Sequence, residues 1–128
     1  MPNYKVLVDS SVWISYFRTG HPDQLDMLIR EDLVYTNEVI LTEMIPFMKA
    51  VNQETLIETM ESLESIPLQI DWPIIREYQR INLLKGINNV GIPDLLILQQ
   101  VIDERLFLFS FDKHFTLMQE HFKFELMT

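Results

Sequence analysis

The sequence contains no cysteine. That excludes a disulfide framework, a zinc–thiolate site and a thiol nucleophile, and it fits a reducing compartment. Glycine is almost as scarce, with three residues, Gly20, Gly86 and Gly91, each standing where a helical pattern breaks. No apolar run approaches the roughly 18–20 residues that a membrane span needs. The start, Met1-Pro2-Asn3-Tyr4-Lys5, leads straight into a strand-like run without the charged-then-apolar layout of a secretory signal. A cytoplasmic protein is therefore expected. Basic residues are few as well: ten Lys and Arg against nineteen Asp and Glu leave a net charge of -9. Phosphate contacts need Lys and Arg, so charge alone argues against nucleic-acid binding. The argument weakens if acids gather around divalent cations, because each cation offsets two negative charges and itself contacts phosphate. The acidity also serves solubility and suits a basic protein partner.

What is present is a core for one domain. Hydrophobic residues make up 48% and charged residues 23% of 128 residues, so residues 1–128 are expected to fold as a single unit. Residues 5–9 form a continuous apolar run ending in Asp9, the pattern of a parallel strand buried on both faces. Ser10 and Ser11 are expected to cap a short helix over 12–17. Residues 23–30 read as a second helical piece, with Leu25, Leu28 and Ile29 on one side. Residues 33–35 are a brief strand, and Thr36 and Asn37 offer caps for the next helix. That helix, 38–51, carries Ile40, Met44, Phe47 and Val51 at helical spacing, and Pro46 is expected to kink or split it.

Residues 52–64 give a further helix on Leu56, Met60 and Leu63, and 66–70 fit either a strand or an extended linker. Residues 73–84 are helical. Pro93 suits the first turn of a helix reaching about Glu104, where Leu95, Leu96, Ile97, Leu98, Val101 and Ile102 imply burial on several sides. Residues 106–109 are strongly strand-like, a helix follows to about 119, and 122–126 form a last strand. Short apolar runs alternating with helices define an α/β domain around a largely parallel sheet.

Three acids occupy one kind of place in this pattern. Asp9 ends the first strand, Asp112 follows the 106–109 strand by three residues, and Asp94 lies in the first turn of the buried helix. In an open parallel sheet, ligands bind beyond the carboxyl ends of the strands, where the following helices begin and favour carboxylates. Glu43, about two turns into its helix, is within reach of the same edge. Gathered carboxylates repel one another and need compensation. Mg2+ and Mn2+ prefer oxygen ligands, and such a site can activate water against a phosphodiester and stabilise the leaving oxygen. Each acid alone also has an ordinary explanation as a strand-end, capping, dipole-stabilising or solvated residue. The four in order carry the signal.

The stretches Val6-Leu7-Val8-Asp9-Ser10-Ser11-Val12-Trp13-Ile14, Leu41-Thr42-Glu43, Ile92-Pro93-Asp94-Leu95-Leu96-Ile97 and Leu108-Phe109-Ser110-Phe111-Asp112-Lys113-His114-Phe115 resemble the PIN-domain family, and within it the VapC-type toxins of toxin–antitoxin pairs. The resemblance implies a three-layer α/β/α fold around a mainly parallel sheet. It implies a Mg2+- or Mn2+-dependent endoribonuclease whose metal and catalytic quartet falls on Asp9, Glu43, Asp94 and Asp112. It further implies an RNA substrate, a small antitoxin partner and a homodimer. Ser11 and Ser110 match hydroxyl positions beside the first and last acids. They are expected either to orient a carboxylate or a water, or to cap and turn the chain. Pro93 departs from the family's usual small residue but is compatible with a first helical turn.

Other residues carry weaker signals. Arg76, Arg80 and Lys85 are expected on a solvated face with Glu77 as a partner, with phosphate contact as the alternative. His21, His114 and His121 lack metal-ligand spacing and read as structural or exposed. Trp13, Tyr16 and Phe17 point to core packing or a dimer contact, and the seven methionines to core or interface filling. A phosphoryl-accepting Asp9 would ask for a second acid at Ser11, and a phospho-receiver for paired acids where Asn3 and Asp9 stand. A PIN-like module that binds RNA or protein without catalysis is the remaining alternative.

Overall fold

The computed structural model describes residues 4–128. Met1, Pro2 and Asn3, read above as the lead into the first strand, lie outside the described residues. Strand β1 (Val6–Val8) has no exposed residue. It runs between β2 (Val34–Thr36) and β4 (Phe107–Phe109), parallel to both. Helices cover both faces of the sheet and leave this strand no polar side, which is why its residues do not alternate. With β3 (Glu64–Ser65) beside β2 and β5 (Glu125–Met127) beside β4, the order is β3-β2-β1-β4-β5 and every pair is parallel. Val6 lies opposite Val34 and Phe107, and Val8 opposite Phe109. The chain steps outward from β1 through β2 and β3, then returns to β4 on the other side. Strands β1 and β4 therefore flank the reversal of strand order, where open sheets form their ligand crevice.

Seven helices make the connections. Helices α1 (Ser10–Thr19) and α2 (Asp23–Arg30) link β1 to β2, and α3 (Glu38–Ala50) and α4 (Glu54–Ser62) link β2 to β3. Helices α5 (Trp72–Leu84) and α6 (Ile92–Glu104) lead to β4, and α7 (Lys113–Met118) leads to β5. The right-handed crossover rule for parallel strands assigns α1 to α4 to one face and α5 to α7 to the other. Within each group α3 packs on α1 and α4, α5 packs on α6, and Asn82 of α5 reaches Met118 of α7, while α3 also meets α6. The result is the expected three-layer α/β/α domain. Trp13, fully buried, packs with Tyr16 and Phe17 at ring-centroid distances of 6.0 and 5.7 Å. Met44, Met48, Met60 and Met118 are core residues.

Of the two outcomes expected at Pro46, a kink or a split, helix α3 excludes the split. It runs unbroken from Glu38 to Ala50 through that proline. Proline removes the N–H that would meet the carbonyl of Thr42, but Thr42 and Pro46 are both exposed, so the carbonyl is on the solvent side of the helix. Ile40, Met44 and Met48 bury one continuous face on either side of it. Phe47 and Val51, counted above among the apolar positions, are exposed instead. The ambiguous stretch 66–70 is an extended linker, and only its first residue continues the ladder, with Ile66 N donating to Thr36 O at 2.8 Å.

Two buried amides of α6 fasten that linker. Gln100 Nε2 donates to the carbonyls of Ile66 and Pro67 at 3.0 and 3.3 Å. Gln99 Nε2 donates to Gln69 O at 2.9 Å, while its Oε1 accepts from Asp71 N at 3.1 Å. The network then reaches α3. Asn37, with no exposed surface, accepts from Ile40 N at 2.9 Å as the helix cap and donates through Nδ2 to Gln100 Oε1 at 2.7 Å. One side chain thus seats the helix carrying Glu43 against the helix carrying Asp94. Asn37→Ala loses a cap worth about 1 kcal/mol and strands a buried acceptor at a cost of about 1–3 kcal/mol. Denaturant unfolding should show a loss of about 2–4 kcal/mol, and a change under about 0.5 kcal/mol would contradict this account.

Candidate metal centre

Asp9 sits where β1 ends and α1 begins. Its N–H donates to Phe109 O at 2.9 Å, so β1 remains tied to β4 up to the acid itself. Asp9 is the residue preceding α1, yet its side chain makes no capping bond, and Ser10 and Ser11 lie inside the helix rather than capping it. The carboxylate has other partners. Ser11 Oγ donates to Asp9 Oδ2 at 2.9 Å, and Ser110 Oγ donates to the same oxygen at 2.8 Å. Each hydroxyl has one proton, so the 3.4 Å approach of the two Oγ atoms adds no further bond. Both hydroxyls then accept backbone N–H groups: Ser11 from Phe111 at 2.9 Å and Ser110 from Asp112 at 3.0 Å. Each serine therefore orients the carboxylate and fixes a turn at once. Oδ1 of Asp9 has only Ser10 Oγ at 3.5 Å, the limit of a hydrogen bond.

The other acids arrive from separate elements. Asp94 lies in the first turn of α6, where the N-terminal dipole favours a carboxylate. Asp112 precedes α7 and caps it, its Oδ1 accepting from His114 N at 2.9 Å. His114 turns its ring back to the same oxygen, with Nδ1 at 3.0 Å from Oδ1. One ligand atom from each of Asp94, Asp112 and His114 lies within 4.8 Å of the others. Glu43 lies on α3 at the rim, exposed by area but crowded at its carboxyl.

The charges act on one another. Partial burial pushes the Asp94 carboxyl up from its ordinary 3.8 to about 6, helped by Asp112 and then Asp9, while His114 and a hydrogen bond from the Gly91 backbone oppose the shift. Glu43 is also raised, first by partial burial and then by Asp9 and Asp94, against a hydrogen bond from Ser10. Asp94 thus feels Asp112 and Asp9, and Glu43 feels Asp9 and Asp94, while among the described residues the ligand atoms near enough to share one ion are those of Asp94, Asp112 and His114. Among the described residues no Lys or Arg forms an ion pair with any of the four acids. A set of carboxylate oxygens left without Lys or Arg partners fits a hard divalent ion such as Mg2+ or Mn2+.

His114 was missed in the sequence because no spacing rule joins it to a second ligand. Its signal is local: a His two residues after an Asp at a helix start is folded back over that Asp by the turn. His21 pairs with Asp23 on the surface at 3.3 Å, and His121 is exposed, as expected. Arg80 is held by Glu77 at 2.6 and 2.9 Å on a solvated face of α5.

The chain belongs to the PIN-domain family, whose sequence profile matches residues 6–120. No curated protein sequence matches it significantly. Its fold is similar to that of VapBC2 from Rickettsia felis bound to a DNA fragment from their promoter, with a TM-score of 0.71 and 20% identity over 95% of this chain and 96% of that one. It is similar to DNA-bound VapBC from Salmonella typhimurium, with a TM-score of 0.75 and 14% identity over 97% of each chain. VapBC-5 from Mycobacterium tuberculosis, a member of the VapBC family of toxin-antitoxin systems, gives a TM-score of 0.68 and 23% identity over 98% of each chain. At these identities the likeness is one of fold.

The raised Asp94 has a consequence for stability. Folding favours its protonated form, so its contribution is complete below about pH 4 and is lost as pH rises through about 6. In EDTA, the unfolding midpoint of the native protein should fall between about pH 4 and pH 7. Asp94→Asn should flatten that slope and melt higher than the native protein at neutral pH. An unchanged slope in the variant would assign the pH dependence to another group.

Proposed function

We propose that this protein is a Mg2+- or Mn2+-dependent endoribonuclease and the toxin of a toxin–antitoxin pair. The observation that supports the reading is the convergence of Asp94 and Asp112, whose ligand atoms lie within 4.8 Å of each other and of His114, with Asp9 raising the carboxyls of both Asp94 and Glu43. Asp9 and Asp94 are the chief metal ligands, and Asp112 and Glu43 complete the set directly or through water. A divalent ion held there supplies a Lewis acid that activates water and neutralises charge on the phosphodiester. The residues supply placement. Ser11 and Ser110 hold Oδ2 of Asp9, so Oδ1 is the oxygen that would be left to take an ion. No side chain forms a covalent intermediate.

The resemblance to VapBC proteins supports a small antitoxin partner, and the net charge of -9 suits a basic one. A homodimer is part of the same reading. None of the described helices is long and apolar enough to cross a membrane, which accords with a cytoplasmic toxin.

Cleavage of RNA in Mn2+ should disappear in EDTA. Asp9→Asn should reduce the rate about 100-fold or more with the circular dichroism spectrum unchanged, and Ser110→Ala about tenfold. Full activity in Asp9→Asn would defeat the scheme. Binding of RNA or protein without any cleavage would favour the inactive PIN-like module instead. Co-expression with the product of a short adjacent gene should yield a complex, and recovery of free monomer alone would remove the partner assignment.

A further inference from the structure

His114 is the one nitrogen donor in a cluster otherwise made of carboxylates. Its backbone N–H and its ring both address Oδ1 of Asp112, and its ring shares the Asp94–Asp112 cluster. Two donors held at about 2.1 Å by one octahedral ion sit about 3.0 Å apart. Nδ1 of His114 and Oδ1 of Asp112 are 3.0 Å apart, so the pair has the spacing of neighbouring ligands as well as that of a hydrogen bond. The side chain is mostly shielded, with 22% of its surface exposed, and its short link to Asp112 limits where the ring points.

We propose that His114 is a nitrogen ligand of the divalent ion and that it makes the centre discriminate in favour of Mn2+ over Mg2+. The inference rests on the metal-dependent reading above. Mg2+ binds carboxylates and water and has little use for an imidazole, whereas transition-series ions gain from one. A site of acids alone would treat the two ions more evenly. The nitrogen therefore sets which ion the protein retains when both are present, a choice that the four acids do not make.

The test is metal binding by the whole protein, read by calorimetry with Mn2+ and Mg2+ separately, and by pulsed electron paramagnetic resonance of bound Mn2+. The native protein should show nitrogen hyperfine coupling to Mn2+. His114→Asn keeps an amide N–H near the place of Nδ1, so it preserves a hydrogen bond to Asp112 but offers no imidazole lone pair. It should lose the nitrogen coupling and about tenfold in Mn2+ affinity, with Mg2+ affinity changed by less than about threefold. Equal losses for both ions, or Mn2+ affinity fully kept in His114→Asn, would make His114 a positioning residue for Asp112 and overturn the proposal. If the variant fails to fold, the coupling in the native protein decides alone. Native protein that binds Mn2+ and cleaves RNA without nitrogen coupling overturns this inference and leaves the nuclease reading intact. Native protein that binds no divalent ion overturns both.

Discussion

Carboxylates kept at short range repel, and the size of that repulsion depends on how much water remains between them. Two unit charges 5 Å apart cost about 1 kcal/mol in bulk water and about 3 kcal/mol at an effective dielectric of 20. Against a net stability of about 5–15 kcal/mol for a domain, several such pairs matter. The structure shows the response in Asp94 and Glu43, whose carboxyls hold their protons more tightly than usual because burial and neighbouring acids disfavour the charge. A domain that keeps this arrangement without a Lys or Arg partner has a centre poised for a divalent cation. An ion bound there would supply what the bare protein forgoes in stability.

The fold makes the arrangement possible by directing strand ends and helix starts to one place. Strands β1 and β4 are neighbours and parallel, so Asp9 and the Ser110–Asp112 turn emerge side by side. Helix α6 brings Asp94 with its N-terminal dipole, and α3 brings Glu43. The two helices are fixed to each other by Asn37 and Gln100, buried amides distant in sequence. Precision at the acids therefore draws on polar contacts inside the domain as well as on apolar packing. Those contacts are specific because an unpaired amide there would be costly.

Much of this was legible in the residues. The runs at 6–8 and 107–109 lack alternation because they are buried on both faces, and that alone implies a parallel sheet under helices. The places of Asp94 and Asp112, at a helix start and just past a strand end, point to the shared edge where their carboxylates meet. Other features depend on tertiary context. Pro46 breaks a rule of helix interiors, yet α3 continues through it where Thr42 is exposed. Ser10 and Ser11 satisfy a capping pattern, yet Ser11 turns to the Asp9 carboxylate because Ser110 closes the site from β4. Gln99 and Gln100 sit in an apolar helix, and their partners in the linker lie about 30 residues away in the chain. His114 became part of the cluster through a turn that no spacing rule encodes.

The outer rims of the sheet also bear on association. On one side the sheet ends in the two residues Glu64 and Ser65, on the other in the three residues of β5, which begins with Glu125. Rims this short, each bearing a carboxylate, give an incoming extended segment few free amides to pair with and a charge to overcome. Lengthening the sheet from outside is thus a poor route for joining this molecule. Whatever docks on it, whether a second copy or a basic partner, must find its footing on helical surface, where side chains rather than backbone ladders decide the match.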